Sequence, residues 1–145
     1  MEFLPAFIRP VAAFVLYFAS GVTLTGLFLA IYLRLTPYAE LALIRAGNRA
    51  AATSLAGAML GYVIALASAI AHSVSLRDML SWGVAALIVQ AVAYLLARMV
   101  FRDLASAIER GEVSAGILVA AMSVSAGILN AASMWYCFAI SLTSI

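Results

Sequence analysis

The sequence predicts an all-α integral membrane protein with four transmembrane helices, and three observations carry that expectation. Of 145 residues, 67% are hydrophobic and 10% charged, with a mean hydropathy of +1.15, whereas a soluble domain is about 45–50% apolar. Four apolar runs each approach or exceed the roughly 20 residues that a helix needs to cross a hydrocarbon core about 30 Å thick. Every Asp, Glu and Arg lies outside those runs. Lipid cannot satisfy free backbone groups, so runs of this length are expected to close as helices. They form one membrane domain over residues 1–145.

The first span is expected at Val11 to Leu33. It exceeds the 7–15 residues typical of a signal-peptide core, has only Arg9 before it and meets Arg34 directly, so it reads as a retained span. The others are expected at Ala50 to His72, Met79 to Ala97 and Val113 to Cys137. All eight basic residues are arginines, and six flank two connectors: Arg34, Arg45 and Arg49 around the first, Arg98, Arg102 and Arg110 around the second. The positive-inside bias places both connectors in the cytoplasm, and both termini with the His72 to Asp78 turn in the periplasm. Tyr32, Tyr38 and Tyr94 fit an inner aromatic belt, and Trp82, Trp135 and Tyr136 an outer one. Tyr62, in mid-span, fits neither.

Each connector reads as an interfacial elbow. In TPYAELALIRAGN, Thr36 is expected to cap a short helix with Pro37 in its first position, Glu40 in its positive first turn and Gly47 at its end. Leu41 and Ile44 would face the lipid surface. RDLASAIERGE repeats the plan with Asp103, Leu104, Ile108 and Gly111. Arg34 and Arg98, Ile44 and Ile108, and Gly47 and Gly111 are each 64 positions apart. A two-span unit duplicated in parallel, residues 11–72 and 79–137, would explain this spacing.

Every span carries a stripe of small or polar residues at steps of 3 or 4: Ala19, Thr23, Gly26 and Ala30; Ser54, Gly57, Gly61, Ala65, Ser68 and His72; Gly83, Ala86, Gln90, Ala93 and Ala97; Gly116, Ala120, Ser123, Gly127 and Asn130. Helices associate in lipid through close backbone approach and interhelical hydrogen bonds, which such residues permit. Gly57, Gly61 and Gly127 are therefore candidate packing positions, either inside one bundle or between copies. Gln90, near mid-membrane, needs a partner, for which Thr23 is the candidate, and Asn130 is expected to meet Ser68.

The composition also excludes function classes. Acids and bases are absent from the spans, where proton relays and voltage sensors hold them. His72 alone is titratable there, at a span edge; with an ordinary pKa of about 6.5 it would be a candidate periplasmic pH-sensitive group. A lone cysteine, Cys137, allows no internal disulfide, and no Cys/His spacing suits zinc or haem, so no metal or other cofactor is expected. Ser73 beside His72 does not make a catalytic pair, and so few charges do not imply nucleic-acid binding.

Several stretches together resemble the YjfL-like family of bacterial inner-membrane proteins: TPYAELALIRAGNRAA at Thr36 to Ala51, LGYVIALASAI at Leu60 to Ile70, SVSLRDMLSWG at Ser73 to Gly83, LIVQ at Leu87 to Gln90 and NAASM at Asn130 to Met134. The resemblance spans about residues 12 to 136. It implies four inner-membrane spans, a domain that can occur in tandem, and an association with envelope-stress and ATP-grasp systems, but no established reaction or ligand. Family members often have proline where Ala65 stands and cysteine where Ser133 stands, so neither a proline kink nor a thiol is expected at those positions. The expected function is that of a non-enzymatic, self-associating inner-membrane component or adaptor, with Arg45, Arg49, Arg102 and Arg110 contacting a cytoplasmic protein or lipid headgroups. The alternative is a channel or facilitator for a small ion or solute, lined by Thr23, Ser68, Gln90 and Asn130.

Overall fold

The computed structural model describes the backbone of residues 3–143 and the side chains of residues 8–140. Residues 1, 2, 144 and 145, which the single-domain expectation includes, lie outside the described residues. Six helices follow in order: α1 (Phe3–Leu35), α2 (Glu40–Arg45), α3 (Arg49–His72), α4 (Leu76–Val100), α5 (Leu104–Glu109) and α6 (Val113–Thr143). Within them Ile8–Leu35, Arg49–His72, Leu76–Val100 and Val113–Ile140 are each long and apolar enough to cross a membrane. The protein is thus all-helical, with four spans and a short helix in each connector. The first three spans take flanking charged residues (Arg9 and Arg34, Arg49, Arg77, Asp78 and Arg98) into their end turns, and the fourth runs on past Cys137 through further apolar residues.

Local chemistry sets the helix ends. Asn48 caps α3, its Oδ1 accepting from Ala51 N at 3.0 Å. Ser75 caps α4 through Asp78 N at 3.2 Å, while Asp78 Oδ2 accepts from Val74 N at 3.3 Å, a reciprocal pair much like a capping box. The two elbows close alike. Gly47 (φ 85°) and Gly111 (φ 79°) occupy the left-handed region that only glycine enters freely. Their N–H groups bond Ile44 O and Ile108 O, and the next N–H groups, of Asn48 and Glu112, bond Leu43 O and Ala107 O, all at 2.9 Å. This is a Schellman closure, repeated at a spacing of 64 residues.

The expected start of the first elbow needs correction. Helix α1 continues to Leu35, so Thr36 N–H is already bonded to Tyr32 O at 3.0 Å, and Thr36 Oγ1 donates to Leu33 O at 3.4 Å. Thr36 therefore ends α1 and does not cap α2, which begins at Glu40 without a side-chain cap. Asp103 likewise makes no side-chain cap bond to α5. Leu41 is exposed as expected, but Leu104 and Ile108 are buried under the bundle, because α5 packs against α3, α4 and α6.

Helix α3 is the hub, packing most extensively on α6 and then on α4, α1 and both elbows. Helices α3 and α6 run parallel: a Cβ added to Gly116 would meet Ala50, one on Gly57 would meet Ala120, and one on Gly61 would meet Ser123. The stripes of α3, α4 and α6 all turn inward, with Ser54, Gly57, Gly61, Gly83, Ala86, Gln90, Ser123 and Gly127 buried. The stripe of α1 does not. Ala19, Thr23, Gly26 and Ala30 are exposed, and α1 packs instead through Leu24, Phe28 and Tyr32. Large side chains fill the wider gap beside α4, where Leu24 Cδ1 lies 2.7 Å from the position a Cβ on Gly83 would take.

Candidate functional site

At the elbow end of the bundle the α1 stripe Leu24, Phe28, Tyr32 ends beneath the turn that carries Tyr38 and Glu40. Phe28 stacks on Tyr62 with centroids 4.5 Å apart and planes at 8°, and Tyr32 meets Tyr94 edge-on at 5.6 Å and 70°. Tyr32 Oη and Ser54 Oγ lie 2.9 Å apart. Helices α1, α3 and α4 thus contribute Tyr32, Ser54 and Tyr94 to one wall, which the turn closes with Tyr38 and Glu40. Tyr32, Tyr38 and Tyr94 are all buried, which corrects their assignment to a lipid-facing belt. At the other end Trp135 and Tyr136 are exposed, while Trp82 is half-buried beside the cleft at His72.

Glu40 is the least expected member of this cluster. It is 1% exposed, and neither carboxylate oxygen has a hydrogen-bond partner; Tyr38 Oη has none either. Tyr32, Tyr38 and Tyr94 are close enough to feel its charge. Burial pushes the Glu40 carboxyl up to about 7, only partly offset by the nearby Thr36 hydroxyl, which itself donates to Leu33 O. Burial, and then the Glu40 charge, raise the Tyr38 phenol. Reading Glu40 as a first-turn residue facing the helix dipole missed this, because the turn into α2 directs its side chain inward. The available signal was a single acid in a connector beside three tyrosines at the same depth.

The two elbows meet next to this cluster. Asn48 Nδ2 donates to Ile108 O at 2.7 Å and to Glu109 O at 3.3 Å, tying the start of α3 to the end of α5. Between them lies a shallow depression of about 450 Å³ lined by Gly47, Asn48, Arg49, Glu109, Arg110 and Gly111 among others. Arg45, Arg49, Arg102 and Arg110 are exposed. Among the described residues Arg110 pairs with Glu112 at 2.8 Å, and no ion pair engages the other three.

Comparison with known proteins gives this architecture a family. Residues 5–134 match the profile of the Domain of Unknown Function DUF350. The chain belongs to the DUF350 family. It is 38% identical over 122 residues to the UPF0719 inner membrane protein YjfL of Escherichia coli strain K12, covering 84% of this chain and 92% of that protein, and equally similar to YjfL of Escherichia coli O157:H7. No solved structure matches the chain.

In this DUF350 chain the polar residues of the spans find partners other than those expected. Gln90 Nε2 donates to Ser123 O at 3.0 Å, whereas Thr23 is exposed and bonds Ala19 O on its own helix at 2.8 Å. Ser68 Oγ donates to Ala131 O at 3.1 Å, not to Asn130, whose Nδ2 is buried without a hydrogen-bond partner. Backbone carbonyls win both contests because close glycine-mediated approach brings the main chain of α6 nearer than any side chain. Gly57, Gly61 and Gly127 all pack inside the chain, against α6 or α3. At the hairpin end His72 Nδ1 lies 2.8 Å from Ser68 O, and since a carbonyl only accepts, Nδ1 carries the hydrogen. His72 borders a cleft of about 370 Å³ with Ser68, Asp78, Trp82, Met134 and Phe138.

Proposed function

We infer that this chain is a non-enzymatic inner-membrane component that self-associates and offers its two elbows, on the cytoplasmic side, as one docking surface for an acidic segment of a protein partner. The observation that carries this reading is the lateral bond from Asn48 to Ile108 and Glu109, which joins two separate connectors into a single surface bearing exposed Arg45, Arg49, Arg102 and Arg110. The arginine bias of the two connectors supports a cytoplasmic location for that surface and a periplasmic one for the termini. The matching elbow closures support an ancestral two-span duplication related by an axis along the membrane normal.

A fluorescent Glu-rich peptide titrated onto the protein in phosphatidylcholine nanodiscs tests the docking surface. Binding to wild type should weaken with salt, and the triple change Arg45→Ala, Arg49→Ala and Arg102→Ala should lower affinity about tenfold or more, since charge complementarity governs such contacts. Asn48→Ala, which frees the elbows without removing charge, should weaken it by a smaller factor. Equal affinity for wild type and the triple variant would remove the reading.

Self-association is supported by the outward stripe Ala19, Thr23, Gly26 and Ala30 on α1. A Cβ at Gly26 meets nothing within 4 Å, so Gly26→Leu should leave the protomer folded while shifting single-molecule photobleaching in bilayers toward single steps. Multi-step bleaching at the wild-type frequency would show that α1 is not the contact.

A further inference from the structure

The cleft at the hairpin end of the bundle, opposite the elbows, takes no part in the docking surface. It measures about 370 Å³, inside the range of about 300–1,000 Å³ typical of small-molecule sites. Its walls come from the last turn of α3, the turn into α4, the first turns of α4 and the far end of α6. The register of α3 on α6 builds it. Ser68 meets Ala131, and one turn farther along His72 faces Phe138 with ring centroids 5.8 Å apart.

The polar side chains of this cleft turn their hydrogens onto backbone carbonyls. Ser68 Oγ donates to Ala131 O, Ser73 Oγ to Ala69 O, and His72 Nδ1 to Ser68 O. What remains on the hydroxyls is lone pairs, and in the neutral ring Nε2 is an acceptor. Asp78 adds a carboxylate, of which Oδ2 accepts from Val74 N while Oδ1 has no hydrogen bond. No arginine lines the cleft, and Arg77 is exposed outside it. Trp82, Met134 and Phe138 make much of the remaining lining apolar, and aromatic faces attract cations.

We propose that this cleft binds a primary ammonium group carried on an apolar stem, supplied either by the ethanolamine headgroup of a lipid or by a free organic amine. An ammonium has three donors and no acceptor, the complement of a site made of acceptors and one carboxylate. Asp78 balances its charge, and the Trp82 and Phe138 rings cover its stem. Among the described residues no group of three His, Cys, Asp or Glu exists to hold a metal ion, so the cation that fits is organic. The site stands at the far end of the bundle from the elbow arginines and is independent of any partner there.

The test uses the full chain with Trp135→Phe, a change at an exposed position outside the cleft that leaves Trp82 as the sole tryptophan. In maltoside micelles, which carry no amine, hexylamine should change Trp82 emission saturably, and hexanol, with the same stem and no charge, should not at equal concentration. Asp78→Asn, whose amide oxygen can still accept from Val74 N, should weaken hexylamine binding about tenfold or more. His72→Phe, which keeps a ring and loses Nε2, should weaken it by a smaller factor, with the helical circular dichroism of both variants unchanged. Nanodiscs separate the two sources. If the lipid is the source, adding phosphatidylethanolamine to phosphatidylcholine, whose methylated nitrogen has no hydrogen to donate, should change the emission and block hexylamine. If the source is a free amine, hexylamine should bind equally with and without phosphatidylethanolamine. Equal responses to hexylamine and hexanol, or unchanged affinity in either variant, would overturn the site as described.

Discussion

Gly61→Val is expected to destabilise the bundle by about 3 kcal/mol or more, at the upper end of what overpacking costs. A Cβ at Gly61 falls on the Ser123 carbonyl and 2.6 Å from Gln90 Nε2, and one at Gly127 falls on the Gly61 carbonyl. The Gln90 amide, at the end of a flexible side chain, can move away. The Ser123 carbonyl cannot, because it belongs to the α6 backbone and accepts the Gln90 bond. The two parallel helices must therefore separate, and dispersion contacts weaken steeply with a gap of even half an ångström. Unfolding by SDS in mixed micelles, followed by tryptophan emission, should show the midpoint displaced far toward lower SDS for Gly61→Val. Gly26→Ala, on open surface, should leave it near wild type. Equal midpoints for Gly61→Val and wild type would mean that α3 and α6 do not approach so closely.

Tyr62→Ala is expected to cost about 3–5 kcal/mol, the range for removing a large aromatic from a packed core. Tyr62 is 0% exposed and stacks on Phe28, while its hydroxyl makes only a long bond, 3.3 Å, to Gly83 O. Tyr62→Phe should therefore cost about 1 kcal/mol or less. The same SDS titration measures both. Comparable losses in the two variants would assign the role of Tyr62 to its hydroxyl and not to the ring that joins α1 to α3.

These positions show unequal legibility. Gly57, Gly61 and Gly127 were readable as contact residues because helical spacing puts small side chains on one face whatever the partner. Which helix they meet was not, since that depends on how four cylinders are arranged. For α1 the same rule failed. Its small stripe faces outward because Leu24, Phe28 and Tyr32, one turn apart on another face, fill the wider space beside α3 and α4.

The elbows divide in the same way. Gly47 and Gly111 were legible as helix ends because a left-handed residue is a local backbone requirement. The capping of α3 by Asn48 is local, but its second role, a bond to a carbonyl 60 residues away, follows from no local rule. Thr36 was misplaced because the end of α1, two residues beyond its expected limit, consumed the backbone group that a cap leaves free.

By itself, the sequence determined that the chain is helical, where it crosses the membrane, and where its connectors bend, because these follow from hydrocarbon thickness, backbone satisfaction and single-residue φ preferences. Only the tertiary structure decided that α3 and α6 lie side by side in parallel, that Gln90 and Ser68 bond to backbone carbonyls, and that Glu40 is buried beside Tyr32 and Tyr38, near it in sequence, and Tyr94 of the distant α4. Burial is the physical reason. The charge on Glu40 is ordinary in a solvated turn, and its chemistry changes only when α1, α3 and α4 converge to exclude water from it.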